Sequence, residues 1–490
     1  MRSARVPQAV SCGLAVLAVA ACTPAPEPVA PEPSREPTPV PTDFTGDPPP
    51  GIDGEVLRFL HGDEAEVHAL INDPAGVRIS PVGSAFLFSS GSEDRHLLHD
   101  AATGTTLWEG EARFLGFGAD GAGERVLLMS DQDGRFALDA AGERVWEPEE
   151  EGDAYLDGIA VRYPQGWSAE EPGGDYAVLG AEGAVLWEYT LDPLEPEAEA
   201  SPSPSPDGPS DGPGDGGQED PEEGAEAALG VPVAAWEDLV LLESADAGLR
   251  AHSLAGDDAG EELWALGRDD EELGTGSSML VSAPRVLGVY TLPDDDDDED
   301  EDGAGSGGRV LLVRWTGPED PSVLAAYDPA DGALLWSLEE PGPNPVRAPF
   351  ETSGVPGSLY DGTTGTLLLP QASGEATLVA VGLADGEVLW GLEEDDVSLA
   401  PAFAHDGLVY ADSRTNDGGD RQLVLEAETM DVVADEMTAY VEAVTDSGHA
   451  ILVQGRQRFV FGAPPGEEPE EPPSRSPGGD PSASPSEGAA

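Results

Sequence analysis

The chain has 490 residues, room for one large domain or two to three ordinary ones, and 39% of them are apolar. Acidic residues outnumber basic ones 98 to 22, a formal net charge of −76, and every one of the 22 is an arginine. Such a surface repels phosphate backbones and anionic headgroups, which argues against nucleic-acid partners and against electrostatic attachment to a membrane. The acidity reads first as an adaptation to solubility and salt, and second as a capacity for weak Ca2+ association or a cationic partner.

At the N-terminus, Arg2 and Arg5 form a short positive region, and residues 13–21 are an unbroken small and apolar run, too short to span a bilayer. It ends in Val19-Ala20-Ala21-Cys22, which resembles the bacterial lipobox. That resemblance implies a signal peptide over 1–21, removed before Cys22, whose sulfur then carries a diacylglyceryl group. An ordinary secretory cut near Ala21 is the alternative. One acyl chain holds a protein marginally and two hold it firmly, so Cys22 is the expected membrane anchor on the extracytoplasmic face. The other cysteine, Cys12, lies inside the leader, so the mature body has no disulfide, thiolate metal site or cysteine nucleophile.

Residues 22–50 follow as a stalk: Thr23 to Pro50 contains eleven prolines. Such a segment favours polyproline II, and at about 3.1 Å per residue it reaches roughly 85 Å. Disordered insertions are expected at 191–230 and 293–308. The second contains nine consecutive acids from Asp294 to Asp302, a solvated charge run without the alternating ligands of a calcium loop. A disordered acidic, Pro- and Ser-rich tail is expected over 463–490.

Between these segments one pattern recurs. A glycine precedes a tryptophan by four positions six times: Gly104 and Trp108, Gly142 and Trp146, Gly183 and Trp187, Gly260 and Trp264, Gly332 and Trp336, Gly386 and Trp390. The Asp-x-x-x-Gly form at Asp100 and Asp328 supplies turn chemistry, because the carboxylate caps backbone N–H groups and glycine takes a positive φ. Apolar strand-like runs flank each turn, and no helical period of helix length appears. The tryptophans are 38, 41, 77, 72 and 54 residues apart, and the excess in the two longest intervals falls largely on the insertions. A basal period near 40 suits a four-stranded blade.

Two degenerate copies extend the series. Glu426-Ala-Glu-Thr-Met430-Asp-Val-Val-Ala434 has Met430 for glycine and Ala434 for tryptophan, and Asp53-Gly54-Glu55-Val56-Leu57-Arg58 puts Arg58 in the tryptophan slot. Only three strand-like runs follow Ala434. The expectation is therefore an all-β, eight-bladed propeller over 51–462, with four-stranded antiparallel blades and the N-terminal strand completing the last blade; seven blades is the fallback. Such closure covers the open sheet edges.

The Asp…Thr-Gly-x-x-Leu-Trp signature resembles the PQQ-like repeat of quinoprotein dehydrogenases and of the outer-membrane assembly lipoprotein family of BamB. The resemblance implies that Trp108, Trp146, Trp187, Trp264, Trp336 and Trp390 dock each blade on its neighbour. It implies no cofactor here: the vicinal cysteine pair of many quinoproteins and the C-x-x-C-H of haem carriers are absent.

No catalytic, cofactor or metal site emerges from the remaining motifs. Gly208-Pro-Ser-Asp-Gly212 matches G-x-S-x-G inside a Pro/Ser/Gly-rich stretch, without the strand and helix that the motif needs. His96 and His99, three apart on a strand, point to opposite faces and cannot share an ion. Asp131-Gln-Asp133-Gly134 reads as a hairpin turn rather than a calcium loop. The expected function is a membrane-anchored interaction scaffold for an envelope or surface protein, not an enzyme. The alternatives are a ligand- or cation-binding sensor or enzyme using the propeller channel, and an envelope protein assembly factor like BamB.

Overall fold

The computed structural model describes residues 43–464, apart from 63–66, 151, 181, 194–228, 245–247, 268–272, 274–283, 294–307, 317–320, 346–349, 351–357, 373–375, 394–398 and 415–419. The leader, Cys22, most of the stalk, the acidic nonad, the match at 208–212 and nearly all of the tail lie outside the described residues.

Short alternating runs separated by turn residues pair with their sequence neighbours, because a tight hairpin costs little loop entropy. Eight four-stranded antiparallel sheets result. Blade 1 covers residues 77–110, blade 2 113–146, blade 3 153–191, blade 4 230–266, blade 5 285–339, blade 6 359–393 and blade 7 399–434. Blade 8 takes three strands from the C-terminal end, β30 (Tyr440–Val444), β31 (Ala450–Gln454) and β32 (Gln457–Gly462). Its fourth strand is β1 (Glu55–Phe59), paired with β32 through Glu55↔Gly462 and Phe59↔Phe459. The expected eight blades and the N-terminal closure are therefore both present.

The ends of the first expected insertion are regular strand: Leu191 closes a strand of blade 3 opposite Gly174, and Gly230 opens blade 4 opposite Ser244. A short helical turn, α1 (His68–Ile71), interrupts the strand pattern and buries Leu70 and Ile71 between blades 8 and 1.

The core is divided. Eight apolar clusters are present among the described residues, and each joins one blade to the next. Leu127, Met129 and Leu138 of blade 2, for instance, meet Val82, Leu87 and Leu98 of blade 1, all essentially inaccessible. Both faces of most blades are covered, so their inner strands read as continuous apolar runs such as Leu239–Ser244 and Arg309–Trp315. The apolar core therefore lies in the seams between blades.

Candidate functional site: the blade seams and the outer strands

The six tryptophans all lie on the outermost strand of a blade, and a β-bulge accompanies every one. In blade 5 Trp336 pairs with Ala326 and Leu334 pairs with Tyr327, so Leu335 is the extra residue. The same skip leaves Leu107, Val145, Leu186, Leu263 and Leu389 unpaired before their tryptophans, Val433 before Ala434, and Leu57 before Arg58. A bulge re-aims the side chain after it and sharpens the local twist. Here it turns the indole toward the next blade; the aliphatic residue before it faces outward at Leu186, Leu263, Leu335 and Val433 and is half-buried against the seam at Leu57, Leu107, Val145 and Leu389.

Four of the indoles, at Trp187, Trp264, Trp336 and Trp390, then meet the turn of the next blade. Trp264 Nε1 donates to Pro329 O at 3.1 Å, Trp336 to Leu383 O at 2.9 Å and Trp390 to Ala427 O at 2.8 Å. Each acceptor is the residue after the first of a five-residue turn, closed by Gly332 N→Asp328 O, Gly386 N→Gly382 O and Met430 N→Glu426 O. Met430 holds the glycine position at φ 62°. Trp187 covers Gly260 and stacks on Tyr189 and His252, with ring centroids 4.5 and 5.0 Å apart.

Blades 2 and 3 depart from this geometry because their turns are one residue shorter, Gly142 N→Asp139 O and Gly183 N→Gly180 O. Trp108 there packs with Ala140 and Phe136, and Trp146 lies buried beside Tyr155.

Where the indole lies directly over the turn glycine, a side chain there would displace it. A Cβ at Gly386, φ 75°, would stand 2.5 Å from the Trp336 ring. Gly386→Ala is expected to cost roughly 1–3 kcal/mol through backbone strain and displacement of the ring. Urea unfolding of the two chains side by side measures it, and equal midpoints would contradict the docking geometry.

Arg58 takes the tryptophan's place between blades 8 and 1. Its guanidinium donates to Ala102 O at 2.7 Å and to Ala101 O, the carbonyl equivalent to Pro329 O and Leu383 O, and its stem lies on Gly104. Burial lowers its pKa, opposed by the nearby Asp100 carboxylate. Burial pushes the Asp100 carboxyl up, but the Thr103 hydrogen bonds and Arg58 outweigh it and hold it below the usual range. The parallel between Asp53–Arg58 and the tryptophan repeats was legible in the sequence; that an arginine would serve the same carbonyl was not.

The other singled-out residues make contacts inside the propeller. His96 is buried, its ring against Ser89 Oγ at 2.8 Å, Ala112 O at 3.0 Å and Glu93 O at 3.1 Å, and burial lowers its pKa against the two carbonyl contacts. His99 lies edge-on to Phe88 with ring centroids 6.0 Å apart. Asp131 caps its own hairpin, accepting from Asp133 N and Gly134 N. Among the described residues no group of three or more His, Cys, Asp or Glu side chains is placed to hold a metal.

Sequence reasoning missed one cleft. A cavity of about 420 Å³ opens between blades 7 and 8, lined by Arg421, Asp435, Glu436, Thr438 and Tyr440 among others. Its residues come from a strand, a connection and the next blade, so nothing in the linear pattern marks it. Burial raises the pKa of Tyr440, reinforced by the Glu442 carboxylate and opposed by Arg458.

A bulged outer strand in each of eight four-stranded blades, with a tryptophan after the bulge in six of them, defines a PQQ-like β-propeller. The family model described as outer membrane protein assembly factor BamB matches residues 64–202 and 303–451, and the chain belongs to that family. Solved structures similar to it include BamB from Moraxella catarrhalis, 13% identical, with 79% of this chain and 96% of that one covered at a TM-score of 0.36. Another is a quinohemoprotein alcohol dehydrogenase from Comamonas testosteroni, 12% identical, with 79% and 74% covered at a TM-score of 0.37. No curated protein matches the sequence.

Proposed function

We propose that this chain is an exported lipoprotein, held at Cys22 on the extracytoplasmic face of a membrane, whose propeller binds an envelope or surface protein and catalyses no reaction. The observation that carries this reading is the set of aliphatic side chains that the bulges turn outward. Leu186, Leu263, Leu335 and Val433 are 36%, 50%, 49% and 44% exposed on outer strands of a chain with 98 acids. Regularly placed apolar groups on an otherwise charged surface favour contact with another protein. The bulges also interrupt strand addition at these edges, which favours side-chain recognition over indiscriminate pairing. In this reading Trp108, Trp146, Trp187, Trp264, Trp336 and Trp390 belong to the frame, not to a ligand site. The family description supports a role beside an envelope assembly machine as one form of the proposal.

Crosslinking in intact cells tests it. The tagged chain is expected to recover one stoichiometric partner from the membrane fraction, and Cys22→Ala is expected to move the chain out of that fraction. Leu263→Asp with Leu335→Asp should reduce partner recovery several-fold without lowering the melting midpoint. Recovery that ignores all three substitutions would refute the scaffold reading. A second reading, a small-ligand sensor, is favoured only by the cleft between blades 7 and 8.

A further inference from the structure

The seam between blades 7 and 8 lacks the device used elsewhere. Its outer strand, β29 (Val432–Ala434), ends in alanine where other blades carry tryptophan or arginine. Blade 8 also has no closed turn to receive an indole. Its last two strands, β32 and β1, come from opposite ends of the chain, so the five-residue turn is cut open between Gly462 and Gly54. With no turn carbonyl to accept an indole N–H, a tryptophan at 434 would bury an unpaired donor.

We infer that residues 44–52, just before β1, form a strap that fills this seam in place of the missing docking side chain. Phe44 and Ile52 join the cluster that contains Tyr410 and Val424 of blade 7 and Val441, Leu452 and Phe461 of blade 8, with Ala434 packed against the same cluster. The Phe44 ring stands 5.5 Å from Phe459, edge-on, and 5.9 Å from Phe461. Polar contacts fix the strap at both ends: Thr45 N to Gln454 Oε1 at 2.9 Å, Asp47 N to Thr438 Oγ1 at 3.1 Å, and Tyr410 O–H to Pro50 O at 2.6 Å. Pro49 is buried and Ile52 is 3% exposed. The strap is thus bonded to both blades, with Pro49 and Ile52 buried and Phe44 half-buried.

The strap also governs the neighbouring cleft. Thr438 lines that cavity and is the residue gripped by Asp47 N, while Gln454, gripped by Thr45, lies between the lining residues Val453 and Gly455. Displacing the strap frees one wall of the cleft and uncovers the Phe459–Phe461 surface. The arm that leads from the N-terminus is therefore coupled to the closure of the ring and to the width of this cleft. That the arm transmits pull from a membrane rests on the proposed anchor at Cys22; the strap itself does not.

Hydrogen exchange on the full chain tests the inference, since local opening is read strand by strand. Phe44→Ala is expected to speed exchange about tenfold or more in β28 (Asp420–Glu426) and in β30–β32, and to release the Thr45 and Asp47 amides. Blades 3–5 should be unaffected. Phe44→Leu, which keeps most of the apolar volume, should give a smaller effect on the same strands. Unchanged exchange at the seam, acceleration spread evenly over all blades, or no grading between the two substitutions would overturn it. Loss of the anchor by Cys22→Ala should leave the exchange map as it is, so failure of the anchor proposal and failure of the strap are separately visible.

Discussion

Trp264→Ala is expected to destabilise the chain by about 3–5 kcal/mol, the range for truncating a large buried aromatic. Trp264 is 8% exposed and sits in the cluster joining blades 4 and 5, with Leu249, Leu311, Val313 and Trp315 around it. Two losses add. The indole's apolar area leaves a cavity that rigid strands on both sides cannot close, and Pro329 O loses its donor. The prediction is specific about place as well as size. The clusters are separate, so the damage should show first as faster exchange in blades 4 and 5 and only then as a lower denaturant midpoint. Chemical unfolding followed by tryptophan fluorescence, with exchange mapping beside it, measures both. A change under about 1 kcal/mol would mean that the seams are not the seat of stability.

Arg314→Met should have a comparable effect from the opposite kind of interaction. Arg314 and Glu340 are 4% and 2% exposed and form a two-pronged pair, Nε and Nη2 each 2.7 Å from a carboxylate oxygen. Asn344 Nδ2 and Gln371 Nε2 also donate to Glu340, at 3.0 and 2.9 Å, and Asn344 N bonds Ser322 Oγ. Removing the guanidinium leaves a buried carboxylate with two neutral donors and no countercharge, which costs about 3–5 kcal/mol. Removing both ends should cost far less, because a buried pair gains little over well-packed apolar groups. Arg314→Met with Glu340→Leu is therefore expected to recover most of the lost stability. Equal losses in the single and double variants would show that the network's worth lies in packing and not in charge.

Much of the architecture was legible because propeller blades are local. Each hairpin is encoded by its own turn, as at Asp100–Gly104 and Asp328–Gly332, and the turn recurs with its tryptophan at a spacing set by four strands. Counting the degenerate copies at Arg58 and Ala434 was enough to reach eight blades. The register of the outer strands was not legible: one extra residue before each tryptophan is a bulge that no alternation pattern shows. The bulge decides that Leu263 and Leu335 face outward while the tryptophans that follow them turn into the seams. The network at Glu340 was hidden for another reason. Its members come from a strand, the connection after that blade and the blade beyond, and polar residues in turn-like stretches look the same whether solvated or buried.

The chain arm shows the same division. Eleven prolines from Thr23 to Pro50 forecast an extended stalk without a core of its own, whereas residues 44–50, neither strand nor helix, pack against the propeller. That this arm packs into a seam depended on Ala434 and on the open turn of blade 8, which lie some 400 positions away in sequence. The sequence by itself determined the elements, their number and their order, because turns and alternation act within a few residues. Only the tertiary structure decided what fills each seam, since that choice arises where the closed ring brings the two ends of the chain and residues of different blades together.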